Sequence, residues 1–87
     1  MSGYRIVYAP EAVDDITAAA APEGRRELRE AIQEALTDPY GGLSVERPGG
    51  GGHWDRVALV GPLAVRYSVS DAPGIDPPRI TVTRVLL

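Results

Sequence analysis

Three short runs in the last part of the chain constrain its fold more than anything before them. Val57-Ala58-Leu59-Val60, then Leu63 to Val69, then Arg79 to Leu87 alternate apolar and polar residues. That period of two marks strands with one buried and one open face. Such a sheet needs an apolar cover on one side only. Arg66, Arg79 and Arg84 recur along these runs, and a sheet face that carries arginine suits an anion or a nucleic acid.

The cover is found upstream. Tyr4-Arg5-Ile6-Val7-Tyr8 is rich in β-branched and aromatic residues and reads as a first strand. Ala9-Pro10-Glu11 then opens a helix over residues 10–20, with Pro in the first turn and an acidic residue at the positive end of the dipole. Val13, Ile16 and Ala20 fall on one face of it, and Asp14 and Asp15 lie elsewhere. Pro22-Glu23-Gly24 breaks that pattern. A second helix is expected from Glu23 to Thr37, with Leu28, Ile32, Ala35 and Leu36 as its stripe and Asp38-Pro39 as its stop. So short a joint predicts an antiparallel helical hairpin.

Residues 38–56 are the loosest stretch, holding a short Leu43-Ser44-Val45 and the run Gly49-Gly50-Gly51-Gly52, which reads as a flexible spacer. Gly61-Pro62 makes a tight turn, and Asp71 to Pro78 a longer one. The expected architecture is therefore α+β, a single domain over 1–87. It has one four-stranded antiparallel sheet of order 1-4-3-2, with two helices on one face. The last strand is interior and pairs antiparallel with the first.

Composition narrows the chemistry. The 87 residues allow one modest core. The absence of Cys excludes disulfides and thiolate chemistry, and a single His excludes any site that needs two imidazoles. No apolar run approaches the roughly 20 residues of a membrane span, and the N-terminus lacks a signal-peptide pattern. A cytoplasmic protein without cofactor or metal is the expectation. The net charge of −3 weighs against a general nucleic-acid binder but leaves room for a local basic patch. All nine cations are Arg, and each can fork onto a phosphate or a carboxylate.

The chain resembles the RelE/ParE superfamily, the toxins of bacterial type II toxin–antitoxin pairs. The resemblance is carried by Tyr4-Arg5-Ile6-Val7-Tyr8-Ala9-Pro10-Glu11-Ala12 and by Asp38-Pro39-Tyr40. It continues through Arg56-Val57-Ala58-Leu59 and Val65-Arg66-Tyr67-Ser68-Val69 to Ile80-Thr81-Val82-Thr83-Arg84-Val85. It implies a cognate antitoxin that lays a helix or strand into a groove on the toxin. In the RelE-like branch it implies mRNA cleavage in the ribosomal A site by attack of a 2′-hydroxyl on the adjacent phosphate. That chemistry needs a base, an acid and cations for the phosphorane.

Carried over by position, Arg56 matches a basic position at the start of a sheet strand, whereas the family's Arg of the next strand falls on Ala64. Arg66 leaves the same face, but it would serve only if the substrate shifted by about 7 Å, two residues of strand rise. The family's Arg and Tyr or His beyond the last strand have no counterpart in a sequence that closes at Leu87. The resemblance thus implies a departed catalytic set. ParE-like members block DNA gyrase without those residues. An inert interaction or dimerisation module is the third alternative.

Candidate site residues follow from strand parity. Val65, Tyr67 and Val69 should face the helices, which turns Arg66 outward beside Ala64 and Ser68, as a ligand contact or as a solvated arginine. Arg56 is placed outward by the same reasoning. Arg84 has two alternatives: beside Ile80 and Val82 toward the core, where it must pair or snorkel, or on the open face if Thr83, Val85 and Leu87 turn inward. His53 could carry a proton, though after four glycines it reads as a surface residue. Trp54 could stack on a base or pack against a helix. The glycine run lacks the Lys-Ser/Thr ending of a phosphate loop. Asp14, Asp15, Glu27, Glu30 and Glu34 read as solvated helix faces, with an Arg26–Glu30 pair.

Overall fold

The computed structural model describes residues 3–42 and 44–87 and sets two helices against one five-stranded sheet. In chain order the elements are β1 (Arg5–Tyr8), α1 (Pro10–Ala19), α2 (Pro22–Ala35), β2 (Ser44–Glu46), β3 (Asp55–Val60), β4 (Leu63–Ser70) and β5 (Arg79–Leu86). No helix among the described residues is long and apolar enough to cross a membrane.

Both helices start on the same tripeptide, Ala-Pro-Glu. Ala9 and Ala21 are the N-caps, at φ/ψ of −65°/155° and −64°/159°, and neither has a side-chain cap bond. The proline that follows each alanine forbids it the helical region and presets the extended geometry an N-cap requires. Glu11 and Glu23 then lie at the positive ends of the two dipoles. The tight joint is held by Arg25 of α2. Its Nε donates to the Ala20 carbonyl at 3.0 Å and its terminal nitrogen to the Thr17 carbonyl at 3.2 Å, satisfying carbonyls that the end of α1 leaves free.

The strand order is β1-β5-β4-β3-β2, so β5 is interior as expected. Two features of the expected sheet are corrected. A fifth strand exists, because Ser44–Glu46 pairs antiparallel with Arg56–Ala58 at one edge; Leu43, assigned with this segment from sequence, lies outside the described residues. The second correction follows from the first. With β2 as an extra traverse, the chain reverses once more before β5, and β5 therefore runs parallel to β1, Arg5 beside Arg79 and Tyr8 beside Val82.

The β3–β4 hairpin closes in two residues, with Val60 paired to Leu63. Gly61 stands there at φ +59°, in the first central position where a type II′ turn demands positive φ. Between β4 and β5 the register slips at Arg66/Tyr67: Tyr67 faces Val82, Arg66 faces Arg84, and Thr83 is the extra residue of a bulge. The Thr83 hydroxyl donates to the Arg66 carbonyl at 3.1 Å.

The core lies between the helical hairpin and one face of the sheet. Ile16, Ile32 and Leu36 from the helical side meet Val65, Tyr67, Val69, Ile80, Val82 and Val85 from the strands. On α1 the inward residues are Ala12 and Ile16, whereas Val13, expected inward, is exposed. On α2 Ile32 is buried and Leu28 half-buried, but Ala35 is exposed. With so few large side chains, truncating Ile32 to Ala should cost about 2–5 kcal/mol.

Candidate functional site

Ladder pairing decides which side chains share the uncovered face of the sheet. On β4 the buried Val65, Tyr67 and Val69 alternate with half-buried Ala64, Arg66, Ser68 and Ser70. Cross-strand neighbours extend these rows. Val45, Val57 and Arg66 form one, Asp55, Ser68, Thr81 and Val7 the next, and Ser70, Arg79 and Arg5 the last. Leu59 and Val45 flank this face and are exposed.

Arg66 stands near the middle of it, outward beside Ala64 and Ser68 as strand parity requires. Its Nε is buried and has no hydrogen-bond partner, and none of the ion pairs among the described residues includes it. A desolvated guanidinium N–H without an acceptor costs free energy that a bound anion would recover. Arg66 acts through space on Asp55 and helps to acidify its carboxyl. Asp55 is itself forked by Arg47, at 3.0 Å to Nε and 2.7 Å to a terminal nitrogen, and accepts the Gly51 amide at 3.0 Å. Arg47, then the Gly51 amide, hold Asp55 down to about 2. The glycine run, expected as a free spacer, is thus tied at Gly51 to the start of β3, and the Gly50 amide donates to the Arg47 carbonyl at 2.9 Å.

Arg56 is not on the open face. It pairs with Tyr67 in the ladder and shares its inward direction, leaving Arg56 only 9 % exposed. Its Nε donates to the Ser44 hydroxyl at 2.7 Å and its terminal nitrogens to the carbonyls of His53 at 2.9 Å and Ser44 at 3.3 Å. The guanidinium also lies over the Tyr40 ring, 5.2 Å from its centroid. Neutral carbonyls, a hydroxyl and a π-face replace the counter-ion. The Tyr67 hydroxyl bonds Ser44 and Pro39 in the same cluster. Arg56 therefore pins β2 and the segment after α2 to β3, which is an architectural task.

Arg84 pairs, as the arrangement with Ile80 and Val82 toward the core requires, but strict alternation does not place it there. The bulge at Thr83 lets Ile80, Val82 and Val85 all be buried, so simple alternation fails along β5. β1 has ended by this point, its last partner being Val82. Asp15 of α1 takes the place of the missing strand: it accepts the Val85 amide at 2.9 Å and the Arg84 guanidinium at 2.7 and 3.1 Å. The hydrogen bonds from Arg84 and Val85 pull the Asp15 carboxyl below its ordinary value. Asp15, read from sequence as a solvated helix residue, is thus a structural anchor; Arg26–Glu30 at 3.2 Å is the exposed pair that was expected.

His53 and Trp54 lie at the other end of the sheet. His53 is exposed and stacks on Tyr40, centroids 5.6 Å apart, and Trp54 meets its edge. Trp54 is 48 % exposed rather than packed beneath a helix. The Tyr40 hydroxyl donates to Asp71 at 2.9 Å, and burial followed by this bond pushes it up to about 12.

The order of strands and helices defines a RelE/ParE-like toxin fold. Among solved structures it is similar to the YoeB/ParE toxin from Agrobacterium tumefaciens, at a TM-score of 0.66 over 95 % of this chain and 97 % of that one, with 16 % of residues identical. No family model and no curated protein matches the sequence.

Proposed function

We propose that this chain is the toxin component of a type II toxin–antitoxin pair and acts on mRNA in the ribosomal A site through the open face of its sheet. The observation that carries the reading is Arg66, a central outward cation whose Nε lacks an acceptor, on a fold shared with a YoeB/ParE toxin. A phosphate oxygen is the acceptor that this position fits, and a guanidinium there would stabilise the charge that develops on an attacked phosphate. The largely apolar groove of ≈ 500 Å³ between α1 and the ends of β4 and β5, lined by Ala18, Ala19, Pro62, Leu63 and Val85 with Asp15 at its side, would seat the antitoxin.

The residues around Arg66 favour slow chemistry. Asp55 is engaged by Arg47, and His53 precedes β3, four residues from Val57, the ladder partner of Arg66, so neither stands free as a proton carrier beside Arg66. Each missing general acid or base removes roughly 10²–10⁴ in rate. The test is a translation extract supplied with the protein and read by primer extension. Codon-phased cuts that disappear with Arg66→Ala support the reading; intact message under arrested translation would overturn it.

A second reading, non-catalytic inhibition of DNA gyrase, is favoured by that same want of a proton carrier. Trapped gyrase–DNA cleavage complexes in a purified supercoiling assay, with translation unaffected, are its signature.

A further inference from the structure

Like charges are neighbours twice on this sheet, and only one of the two pairs is compensated. Arg66 and Arg84 face each other across β4 and β5, and Arg84 is neutralised by Asp15. Arg5 and Arg79 are direct partners across β1 and β5, with backbones about 4.8 Å apart. Both are exposed, and the ion pairs among the described residues involve neither. Adjacent uncompensated like charges on a sheet are destabilising. Of the nine arginines, Arg25, Arg26, Arg47, Arg56 and Arg84 have partners. Of the other four, Arg5, Arg66 and Arg79 share the open face, and Arg29 lies on α2.

We infer that Arg5 and Arg79 form a second phosphate site, which holds the same RNA strand that Arg66 contacts. The inference rests on the RNA-directed reading above and extends it to the length of strand bound. Arg79 is partnered with Ser70, four residues along β4 from Arg66, so the two cation sites are offset by about 13 Å along the strands. One phosphate cannot reach both, whereas successive phosphates of one backbone can. The surface between them carries the hydroxyls of Ser68, Ser70 and Thr81, side chains that donate to phosphate and sugar oxygens. An acidic peptide is the less suitable occupant, because it would need a buried aromatic or aliphatic anchor, and this stretch offers only half-buried Val7. Asp55, the carboxylate beside Ser68, is offset by Arg47.

The experiment is a fluorescence-anisotropy titration of a labelled single-stranded oligoribonucleotide of about eight nucleotides, repeated over a series of salt concentrations. Each phosphate contact on a single strand adds about 0.7 to the slope of log K against log salt. The double variant Arg5→Ala/Arg79→Ala should flatten the slope by about 0.7 to 1.4, Arg66→Ala by about 0.7, and Arg79→Lys should leave it unchanged. Thermal melts unchanged by these exposed substitutions keep folding out of the comparison. If the wild-type protein binds and Arg66→Ala flattens the slope while the double variant does not, the second site is overturned and the RNA reading stands. If the wild-type protein binds no RNA even at low salt, or takes a polyglutamate peptide instead, the reading fails and the second site with it.

Discussion

Asp15 accepts the Val85 amide at 2.9 Å at the point where β1 has run out beside β5. A helix carboxylate thus completes a sheet edge, and it binds the Arg84 guanidinium with its remaining capacity. Asp15→Ala should lower the thermal midpoint more than Arg84→Ala, because it frees both a backbone donor and a cation. Equal shifts would show the amide bond to be unimportant.

Acid should unfold the protein through Asp15 and Asp55. Both carboxyls titrate below their ordinary value in the folded chain, Asp55 at about 2. The unfolded chain therefore takes up protons first as the pH falls. Stability from these groups is fully present above about pH 4, the ordinary carboxylate value, and is lost as pH falls through the folded values. Melting temperatures from circular dichroism should hold from neutrality to about pH 4 and then fall toward pH 2. The Asp15→Asn/Asp55→Asn variant should melt lower at neutral pH but lose less on acidification.

Arg56 and Arg66 should separate stability from activity. Arg56→Ala removes the clamp on Ser44 and His53 and should cost about 1–3 kcal/mol in urea unfolding. Arg66→Ala removes a guanidinium without an acceptor, so it should leave the urea midpoint nearly unchanged while abolishing growth arrest on expression. The reverse pattern would exchange their assignments.

Tyr67→Phe keeps the buried ring and deletes only the hydroxyl shared with Ser44 and Pro39. The loss should be about 1–3 kcal/mol, and hydrogen exchange should speed up in β2 more than in β5. Uniform acceleration would mean that the hydroxyl has no local tie.

Gly61→Ala places a Cβ at φ +59°. The strain of a non-glycine residue there is about 1–3 kcal/mol, with open space around the new methyl group. An unchanged stability would mean that the turn has relaxed to another type.

The helices and the three long strands were legible because each is long enough to repeat its period. Val65, Tyr67 and Val69 fix the direction of Arg66 without help from any other strand. Arg56 was misplaced because it lies at a strand start with few residues to set its phase. Counting back two from inward Ala58 places it on the buried side. Arg84 and Asp15 were beyond reach of the sequence, since the bulge at Thr83 breaks alternation and the anchor joins residues 69 positions apart. The sheet direction failed on one three-residue strand: Ser44–Glu46 is too short to show a period, yet it reverses the sense in which β5 meets β1.

The interior place of β5 also orders events during synthesis. Until residues 79–86 have left the ribosome, β1 has no strand to join, and the apolar faces of α1 and α2 lack the Ile80, Val82 and Val85 that close the core. β1 must wait for β5, a non-local pairing of the slow kind. The open face on which Arg5, Arg66 and Arg79 converge therefore cannot form on a partial chain.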